Sequence, residues 1–427
     1  MKQRRFDNIK NTIRKLEGVL EIALLTIIYF LIWKYCYRLK SFPTYYGKGK
    51  YVLAGVYFVI LYILLYYSEG LKFGYLKLTD VLISQWISVI IANAITYFQL
   101  CLIANKMINA LPMLAFTGIG VIVTLVCTYT FTRVYHTLNH SRRMLMIYGN
   151  INAVPLKVKM DQRADKYQIE DLISASEDMG KLKEAILQYD AVVVSDIPAQ
   201  KRNDILKFCY QKGIRAYVTP KISDVMIRGA NSIHLFDTPL LRIKPNGLNY
   251  EQRFFKRILD LVICSVALLL TWPIMLIVAV AIKLEDGGPV FFKQRRVTRY
   301  NREFEILKFR SMIVDAEKEG IAIPAKDHDP RITKVGRFIR ATRIDELPQI
   351  INILKNDMSI VGPRPERVEH VKEYCELIPE FEFRTKVKGG LTGYAQIYGK
   401  YNTSAYDKLK LDLMYIENYS IILDLKL

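Results

Sequence analysis

The stretch Leu261–Ile282, LVICSVALLLTWPIMLIVAVAI, decides the architecture because it carries no charge and has a proline near its centre. Pro273 removes a backbone donor and kinks a helix. Each half then has about 11 residues and a length of about 17 Å, roughly one leaflet of a bilayer. Basic residues flank both sides, Lys256 and Arg257 before the stretch and Lys283 after it. Since such residues favour the cytoplasmic side, we expect a re-entrant helix–break–helix here; a single span with a proline kink is the alternative.

Four apolar runs precede this stretch, and each reaches the ~18 residues that a spanning helix needs. They are Gly18–Tyr37, Tyr51–Ser68, Val81–Asn105 and Met107–Thr132. With the N-terminus inside, the inner loops hold eleven Lys and Arg and the outer loops hold five, which favours that orientation. Glu21 and Lys34 lie near the ends of the first run, where we expect them to reach the interface. The sequence therefore predicts a multi-pass bundle of four transmembrane helices.

The composition agrees with a membrane protein. Hydrophobic residues make up 51% of the 427 residues, and 61 Lys and Arg against 41 Asp and Glu give a formal net charge of +20. A disordered chain is excluded, because disorder requires low hydrophobicity. The basic residues are interleaved with the membrane segments, so anionic lipid headgroups are the expected partner and nucleic acid is not. The six cysteines show no CxxC spacing, which predicts free thiols in a reducing compartment.

Between residues 141 and 250, short apolar strands alternate with helices. The predicted strands are Met144–Tyr148, Ala191–Ser195 and Ala216–Thr219, and the predicted helices are Leu182–Gln188 and Asp204–Lys212. This βαβ order predicts a small parallel sheet. The first turn, Gly149–Asn152, lacks the further glycines of a dinucleotide fingerprint. We interpret the segment as a degenerate Rossmann-like module used for packing or regulation; a working cofactor site is the alternative.

Residues 343–349, RIDELPQ, are the most informative segment of the last part of the chain. Apolar residues at the spacing i, i+3, i+4 and i+7 from Leu347 predict an amphipathic helix, and Pro348 suits its first turn. Asp345 and Glu346 would then lie at the helix N-terminus, where free N–H groups favour an anion and would keep Asp345 ionised. Adjacent helical residues point about 100° apart, so one carboxylate could attack while the other holds a metal. An acidic cap on a surface helix is the alternative.

Four cations are candidates for binding a phosphate beside this pair. Lys308 and Arg310 lie two residues apart, on one face of a predicted strand. Arg340 comes five residues before Asp345, and Arg364 stands between two prolines, which would present a rigid guanidinium fork to a phosphate. Two carboxylates among four cations, beside a membrane helix, suit metal-assisted phosphoryl transfer on a lipid phosphate. For each cation a solvated basic face is the alternative.

Residues 253–427 resemble the bacterial sugar transferase family, the monotopic polyprenyl-phosphate glycosyl-1-phosphate transferases. The landmarks follow the family's order and are Phe255-Lys256-Arg257, Asp260, the Pro273 break, Gly288–Phe292, Lys308–Met312, Arg340, Asp345–Gln349 and Asp357–Glu366. The earlier segments resemble the family's long form. The expected fold class is an α-helical membrane bundle of four spans (residues 1–140), a Rossmann-like α/β module (141–250), and a re-entrant membrane helix (251–285) with a small, mostly helical α+β catalytic domain (286–427).

The resemblance implies an enzyme that transfers a sugar-1-phosphate from a UDP-sugar to undecaprenyl phosphate with Mg²⁺ and releases UMP. It implies that Asp345 is the nucleophile, which predicts a covalent aspartyl-phosphosugar intermediate, and that Glu346 is a metal ligand with Asp345 beside it. Lys308, Arg340 and Arg364 would bind phosphate or nucleotide, with Arg310 as a further candidate. The expected location is the bacterial plasma membrane, with the catalytic domain on the cytoplasmic face and a homo-oligomer compatible with it. The product would begin a surface polysaccharide such as an exopolysaccharide, capsule or O-antigen.

The sequence departs from the family at a few positions that bear on the identity of the sugar. Trp272 stands where the family usually has Ser, and Lys388–Gly393 reads KGGLTG in place of RPGLTG. This glycine-rich turn is a place where backbone can approach a ligand. The chain ends at Leu427, where relatives usually continue, so we expect a missing C-terminal segment. The alternative function is a non-catalytic scaffold of glycan assembly that binds lipid phosphate, although a scaffold needs no Asp-Glu pair before a proline.

Overall fold

A computed structural model of the chain describes residues 2–37, 49–74, 76, 78–138, 142–149, 153–162, 167–243, 245, 247–314, 316, 329–399 and 403–427. The chain divides into two compact units, Met1–Thr219 with Lys426 and Pro220–Leu425 with Leu427. This boundary falls inside the predicted 141–250 segment, and the predicted limits at 140, 250 and 285 stay predictions.

The first unit begins with four long helices that cover the four predicted apolar runs. They are α1 (Lys2–Ile32, continued by a π-helical turn at Trp33–Tyr37), α2 (Gly49–Tyr67), α3 (Leu78–Ala104) and α4 (Leu111–Leu138). A buried aromatic cluster lies between them, in which the rings of Tyr29 and Tyr57 stack at 4.5 Å and Phe116 packs on both. Their outer surface is apolar, with exposed residues such as Phe98 and Leu102. Within the described residues, these four helices and a fifth in the second unit are long and apolar enough to cross a membrane.

Glu21 was predicted to reach the membrane interface, and the structure contradicts this prediction. Its side chain is fully buried in the helical bundle and accepts a hydrogen bond at 3.2 Å from Gln85, whose own side-chain oxygen accepts one at 2.7 Å from Thr128. The expectation was wrong because α3 and α4 supply polar partners at the depth of Glu21, so that its carboxylate pairs inside the bundle. Four of the basic residues used for the orientation, Arg38, Lys40, Lys48 and Lys77, lie outside the described residues.

A four-stranded parallel sheet completes the first unit. Its strands are β1 (Arg142–Tyr148), β2 (Tyr167–Ser174), β3 (Ala191–Ser195) and β4 (Arg215–Val218), in the order β2-β1-β3-β4. The connecting helices are α5 (Ala153–Asp161), α6 (Met179–Ile186) and α7 (Ala199–Lys212). The three predicted strands and two predicted helices are present. The pattern missed β2, because this edge strand buries only Ile169 fully and carries the charged pair Glu170-Asp171, as edge strands do.

Gly149 follows β1 at the carboxyl ends of the parallel strands, which is where a nucleotide would bind in a doubly wound fold. A Cβ atom here would lie 2.1 Å from the carbonyl oxygen of Asp196, the residue after β3. Close backbone packing therefore accounts for this glycine, in agreement with a packing role for the turn. The remaining residues of the predicted turn, 150–152, lie outside the described residues.

The second unit is built on one long helix. After α8 (Ile222–Arg228) and an antiparallel hairpin of β5 (Asn231–Leu235) and β6 (Thr238–Arg242), helix α9 runs from Tyr250 to Asp286. It has 37 residues and contains Pro273 in its interior. The helix break predicted at Pro273 is therefore wrong, because the residues on both sides of Pro273 belong to one continuous helix.

Both halves of α9 pack on the residues that follow it. Cys264 in the first half contacts a core that includes Phe304 and Ile353. Val278 and Ile282 in the second half contact another core with Phe309 and Ile339. Between them, Leu269, Leu270 and Ile277 remain about 70% exposed. One side of the helix thus supports the following domain along its length, and the other side is an uncovered apolar surface.

The domain after α9 is small and mixed α/β. It contains the antiparallel strands β7 (Phe291–Val297) and β8 (Glu303–Phe309), and the parallel pair β9 (Ser359–Val361) and β10 (Gly390–Thr392). The helices are α10 (Lys334–Ala341), α11 (Gln349–Leu354), α12 (Val368–Leu377), α13 (Tyr394–Tyr398), α14 (Ala405–Glu417) and α15 (Ile421–Lys426). Helix α8 joins the core of this domain, where Ile222 and Val225 cluster with Phe381, Leu409 and Leu413. All six cysteines of the chain are free, as predicted.

Candidate active site

Asp345 and Glu346 lie in a 3₁₀ turn, Ile344–Glu346, and not in the first turn of an α-helix. Arg343 precedes the turn in the left-handed region (φ 59°), and the Leu347 N–H bonds to the Ile344 carbonyl across three residues. The helix itself begins at Gln349 and has six residues. The predicted amphipathic helix is thus present but starts later, because Pro348 has no N–H to continue an α-helical ladder through the carboxylates.

Glu346 is held by two cations. Its Oε1 accepts hydrogen bonds from Lys308 Nζ at 3.1 Å and from Arg364 Nη2 at 3.0 Å, and its side chain is 13% exposed. Burial alone would raise the pKa of Glu346, but Lys308 and Arg364 outweigh it and hold this pKa below the usual value. The Glu346 carboxylate is therefore charged and fixed in position.

Asp345 has the opposite environment. Its Oδ1 is buried without a hydrogen-bond partner in the described part of the chain. Burial raises the pKa of Asp345, the nearby Glu346 charge adds to the shift, and Lys308 and Arg340 only partly oppose it. The expected stabilisation of the Asp345 anion by a helix N-terminus is wrong, since the helix starts four residues later. The structure instead leaves Asp345 with a buried oxygen that has no hydrogen-bond partner among the described residues and with a raised pKa.

Strand β8 carries Lys308 toward the carboxylates. Side chains alternate along a strand, so Lys308 shares the face of Phe304 and Ile306, which are buried in the core against α11. Burial lowers the pKa of Lys308, and the neighbouring Glu346 opposes that shift. Asn352 of α11 fixes the strand edge, because its side chain accepts from Leu307 N–H at 2.9 Å and donates to the Glu305 carbonyl at 2.8 Å.

The loop that carries Arg364 is braced by glycines. A Cβ atom on Gly393 would lie 2.1 Å from the carbonyl oxygen of Gly362, and one on Gly389 would lie 2.5 Å from Pro365. The glycine-rich turn therefore approaches the backbone of the Arg364 loop, which explains its composition without a ligand. This close approach holds Arg364 beside Glu346.

Arg384 was missed by the sequence analysis. It is buried, donates to the Arg364 carbonyl at 2.9 Å and forms an ion pair with Asp412 at 2.8 Å. Burial raises the pKa of Asp412, although Arg384 counteracts it. Arg384 thus fixes the backbone of Arg364 through the hydrogen bond to its carbonyl oxygen. Only its burial distinguishes it from the many other basic residues, and burial is not readable from the sequence.

The two remaining predicted cations lie in different surroundings. Arg340, in the last turn of α10, is close enough to favour the charged form of Asp345. Arg310 follows the end of β8, is buried, and pairs with Asp286 at the end of α9. The structure thus brings Lys308, Arg340 and Arg364 to the carboxylates, whereas Arg310 ties the domain to the end of the long helix.

The predicted magnesium site fits these residues in part. Mg²⁺ is usually bound by one or two carboxylates together with water and substrate phosphates, and the unpaired Oδ1 of Asp345 beside Glu346 offers such oxygens. No cluster of three or more His, Cys, Asp or Glu able to hold a metal occurs among the described residues. Because Lys308 and Arg364 already neutralise Glu346, the pair suits a metal that arrives together with an anionic substrate.

The fold and site together define a membrane protein with a carboxylate pair set among cations, an arrangement suited to phosphate chemistry. Residues 251–427 match the family model described as bacterial sugar transferase. The chain is 40% identical over 244 residues to the UDP-N-acetylgalactosamine-undecaprenyl-phosphate N-acetylgalactosaminephosphotransferase of Aeromonas hydrophila, covering 56% of this chain and 57% of the relative. It is 42% identical over 206 residues to the UDP-glucose:undecaprenyl-phosphate glucose-1-phosphate transferase of Escherichia coli (strain K12), covering 47% and 42%.

A protein with the same name as the second, from Caulobacter vibrioides, is 39% identical over 199 residues, which cover 44% of this chain and 73% of that relative. The chain belongs to the bacterial sugar transferase family, and the predicted resemblance is confirmed. The chain spans about half the length of the Aeromonas and Escherichia relatives that it matches.

Proposed function

We propose that the protein transfers a sugar-1-phosphate from a UDP-sugar to undecaprenyl phosphate and releases UMP. The observation that carries this proposal is the contrast between the two carboxylates. Glu346 accepts hydrogen bonds from two cations, Lys308 and Arg364, whereas Asp345 keeps a buried oxygen without a partner among the described residues. Several relatives are named as transferases of this reaction class.

Asp345 is the nucleophile in this proposal. A carboxylate oxygen of Asp345 attacks the phosphorus that carries the sugar, and the bond from that phosphorus to the bridging oxygen of the diphosphate breaks. UMP leaves with the electron pair. An oxygen of the lipid phosphate then attacks the same phosphorus, the aspartyl–phosphorus bond breaks, and the Asp345 carboxylate is restored. The burial that raises the pKa of Asp345 also makes its anion more basic and hence more nucleophilic.

The surrounding cations offset the repulsion between an anionic nucleophile and an anionic diphosphate. Lys308 and Arg364 lie within hydrogen-bond distance of Glu346, so a small shift would let either reach a phosphate oxygen. Arg340 is near enough to add positive charge at Asp345. Mg²⁺ held by Glu346 and Asp345 would supply charge neutralisation at the phosphates when bound.

The packing of α9 supports a membrane placement with both ends on one side. Asp260 near the start accepts from Ser359 Oγ at 2.7 Å, and Glu285 near the end accepts from Lys334 N–H at 2.7 Å. Both contacts are made by the same domain, which lies on one side of the hydrocarbon layer, whereas a helix that crossed the bilayer would place one of its ends at the opposite surface. We therefore favour a helix that enters one leaflet and returns, with the apolar residues around Pro273 deepest in the lipid.

The remaining parts of the expected architecture belong to the same proposal. Helices α1 to α4 would cross the bacterial plasma membrane four times, which returns the chain to the cytoplasm before the sheet. The sheet would act as a Rossmann-like module without a cofactor. The transfer reaction would begin a surface polysaccharide such as an exopolysaccharide, capsule or O-antigen.

The deciding experiment is intact-protein mass spectrometry of the full chain in detergent, with UDP-sugars and Mg²⁺ but no acceptor. We expect a sugar-phosphate adduct on the wild type and none on Asp345→Asn, which keeps the side-chain shape but is no nucleophile. Glu369→Gln, a change at an exposed acidic residue of α12, should keep the adduct. An Asp345→Asn protein that still forms an adduct and turns over would refute the assignment. Absence of adduct and of UMP release in the wild type, over a broad panel of UDP-sugars with undecaprenyl phosphate, would favour the scaffold.

A further inference from the structure

A second basic pocket lies at the start of α9, and none of the site residues described above lines it. It is a partly open pocket lined by Leu248, Arg253, Lys256, Arg257, Asp260, Arg299, Ser359, Lys386, Val387 and Lys388. Six of these ten residues are Lys or Arg, and only one is an acid. Groups within the protein already bind some of these six cations and leave others uncompensated.

Two of the six cations, Lys256 and Arg257, have partners within the protein, and so does the single acid of the pocket, Asp260. Lys256 Nζ pairs with Asp424 at 2.5 Å, and Arg257 donates to the carbonyls of Ile353 and Leu354 at 2.6 and 2.9 Å. Asp260 accepts from the Ser359 hydroxyl and from Ile360 N–H. These residues form the wall of the pocket and leave no free carboxylate in it.

The other four cations of the pocket have no carboxylate partner in the part of the chain that the structure describes. They are Arg253, Arg299, Lys386 and Lys388. Arg253 lies over the Tyr250 ring, and its buried Nε has no hydrogen-bond partner among the described residues. Lys388 donates to the side-chain oxygen of Asn356. Burial, with Arg257 and Arg299 nearby, lowers the pKa of Lys388 to about 8. Uncompensated charge of one sign in a partly enclosed pocket is costly, and an anion would relieve it.

The turns of α9 that carry the pocket residues, from Arg253 to Asp260, also present an apolar face next to the pocket. Arg253, Lys256 and Asp260 follow a helical spacing of three and four residues on the pocket side. Phe254 and Ile258, one position further round the helix, are 62% and 43% exposed. The helix continues from there into its uncovered apolar run. A ligand with an anionic head and a hydrocarbon tail matches this pairing of surfaces.

We propose that this pocket binds the phosphate of an anionic membrane lipid, with the acyl chains along the exposed face of α9. The four unpaired cations hold the headgroup, and the bound lipid fixes the depth at which α9 enters the membrane. The site lies at the far end of α11 from Asp345, because Arg257 binds the last carbonyls of that helix. The proposal rests on the membrane placement of α9 proposed above and not on the transfer reaction.

The test follows the reactivity of single lysines in the full chain, kept in neutral detergent at pH 8. Acylation of Lys388 and Lys386 is read by peptide mass spectrometry, with exposed Lys334 as the internal reference. Dihexanoyl phosphatidylglycerol should slow the acylation of Lys388 roughly fivefold or more, because a bound anion raises the fraction of charged amine. Dihexanoyl phosphatidylcholine and inorganic phosphate at the same concentration should leave it unchanged.

Variants separate a built pocket from general attraction between charges. Arg253→Gln/Arg299→Gln should abolish the protection of Lys388, whereas Arg295→Gln/Lys372→Gln, which removes two exposed cations outside the pocket, should keep it. An unchanged rate at Lys334 shows that the reagent acts equally on all variants, and an unchanged thermal midpoint in detergent shows that each variant is folded. Equal protection by inorganic phosphate would overturn the lipid assignment in favour of a free-anion site. If none of the three compounds protects Lys388, the four cations are simply solvated and the proposal is wrong. None of these measurements depends on enzyme activity, so failure here is distinct from failure of the proposed reaction.

Discussion

Asp260 and Ser359 are 99 residues apart in the chain, yet the buried Asp260 carboxylate accepts a hydrogen bond from the Ser359 hydroxyl at 2.7 Å and another from Ile360 N–H at 3.1 Å. This contact ties the start of the long apolar helix α9 to strand β9. Strand β9 leads directly into the loop that carries Arg364. The long apolar helix and the loop that carries Arg364 are thus linked through one carboxylate.

Replacing Asp260 by Ala should destabilise this link. The Ser359 hydroxyl and the Ile360 N–H would be left buried without an acceptor, at a cost of about 1–3 kcal/mol. We expect a lower thermal midpoint and weaker turnover, since the Arg364 loop loses its anchor. Asp260→Asn, which keeps one acceptor oxygen, should lie between wild type and Asp260→Ala. Thermal unfolding of the full chain in detergent measures the effect, with Glu251→Ala at an exposed position of the same helix as control. Equal midpoints for Asp260→Ala and the control would show that the contact is dispensable.

The contact also illustrates what the sequence could not predict. Periodicity predicted the four apolar helices and three strands of the sheet, because those signals are local, whereas the break predicted at Pro273 is continuous helix in the structure. The structure brings Lys308 and Arg364 to Glu346, while the predicted metal-binding and phosphate-binding roles of these residues stay predictions. Partners such as Asp260 with Ser359, or Arg384 with Asp412, depend on the tertiary fold. In the sequence they are ordinary polar residues.

Two further local predictions failed for identifiable reasons. The start of α11 was placed too early, because the left-handed backbone of Arg343 and the missing N–H of Pro348 favour a 3₁₀ turn before the helix. Glu21 was expected at an interface, because hydropathy does not reveal that Gln85 and Thr128 on other helices supply a polar neighbourhood. In both cases a contact or backbone conformation outside the pattern decided the outcome.

The acid limb of the pH dependence of adduct formation should report Asp345 alone. Asp345 must be ionised to attack, and its pKa is raised by burial, so the rate should fall about tenfold per pH unit below a midpoint above about 4, the ordinary aspartate value. Glu346 has a lowered pKa and stays charged through this range, so it should add no second acid limb. Adduct formation with donor alone is the measurement, since the lipid phosphate titrates and would obscure the profile. A midpoint below that of an ordinary aspartate would contradict the buried environment.

Neutralising Asp345 should not cost stability. An acid whose pKa is raised in the folded state destabilises the fold as the pH rises through that pKa. Asp345→Asn removes this unfavourable charge, so its thermal midpoint at pH 7.5 should equal or exceed that of the wild type while turnover is lost. Such a trade between stability and activity is typical of active sites. A clear drop in the midpoint would indicate that Asp345 is a structural cap.

Glu346→Gln should lower turnover by two orders of magnitude or more, on the scale of removing a preorganised electrostatic contact, roughly 10²-fold. The change leaves Lys308 and Arg364 without their carboxylate and removes one of the two oxygens proposed for Mg²⁺. We expect the Mg²⁺ concentration for half-maximal rate to rise, while Asp345 remains able to form some adduct at high Mg²⁺. Steady-state rates over a Mg²⁺ titration measure this, with Glu369→Gln as the matched control. An unchanged Mg²⁺ dependence would remove Glu346 from the metal site.

The membrane topology gives a prediction that is independent of chemistry. Both ends of α9 bind the same domain, so residues before and after it should lie on the cytoplasmic side. In a Cys-free background, single cysteines at exposed Glu251 and Arg295 should resist a membrane-impermeant thiol reagent in intact cells and react once the inner membrane is permeabilised. A cysteine at Lys106, between α3 and α4, should react in intact cells and serves as the positive control. Labelling at Arg295 but not at Glu251 in intact cells would mean that α9 crosses the bilayer, and the proposed return of the helix to the same surface would be wrong.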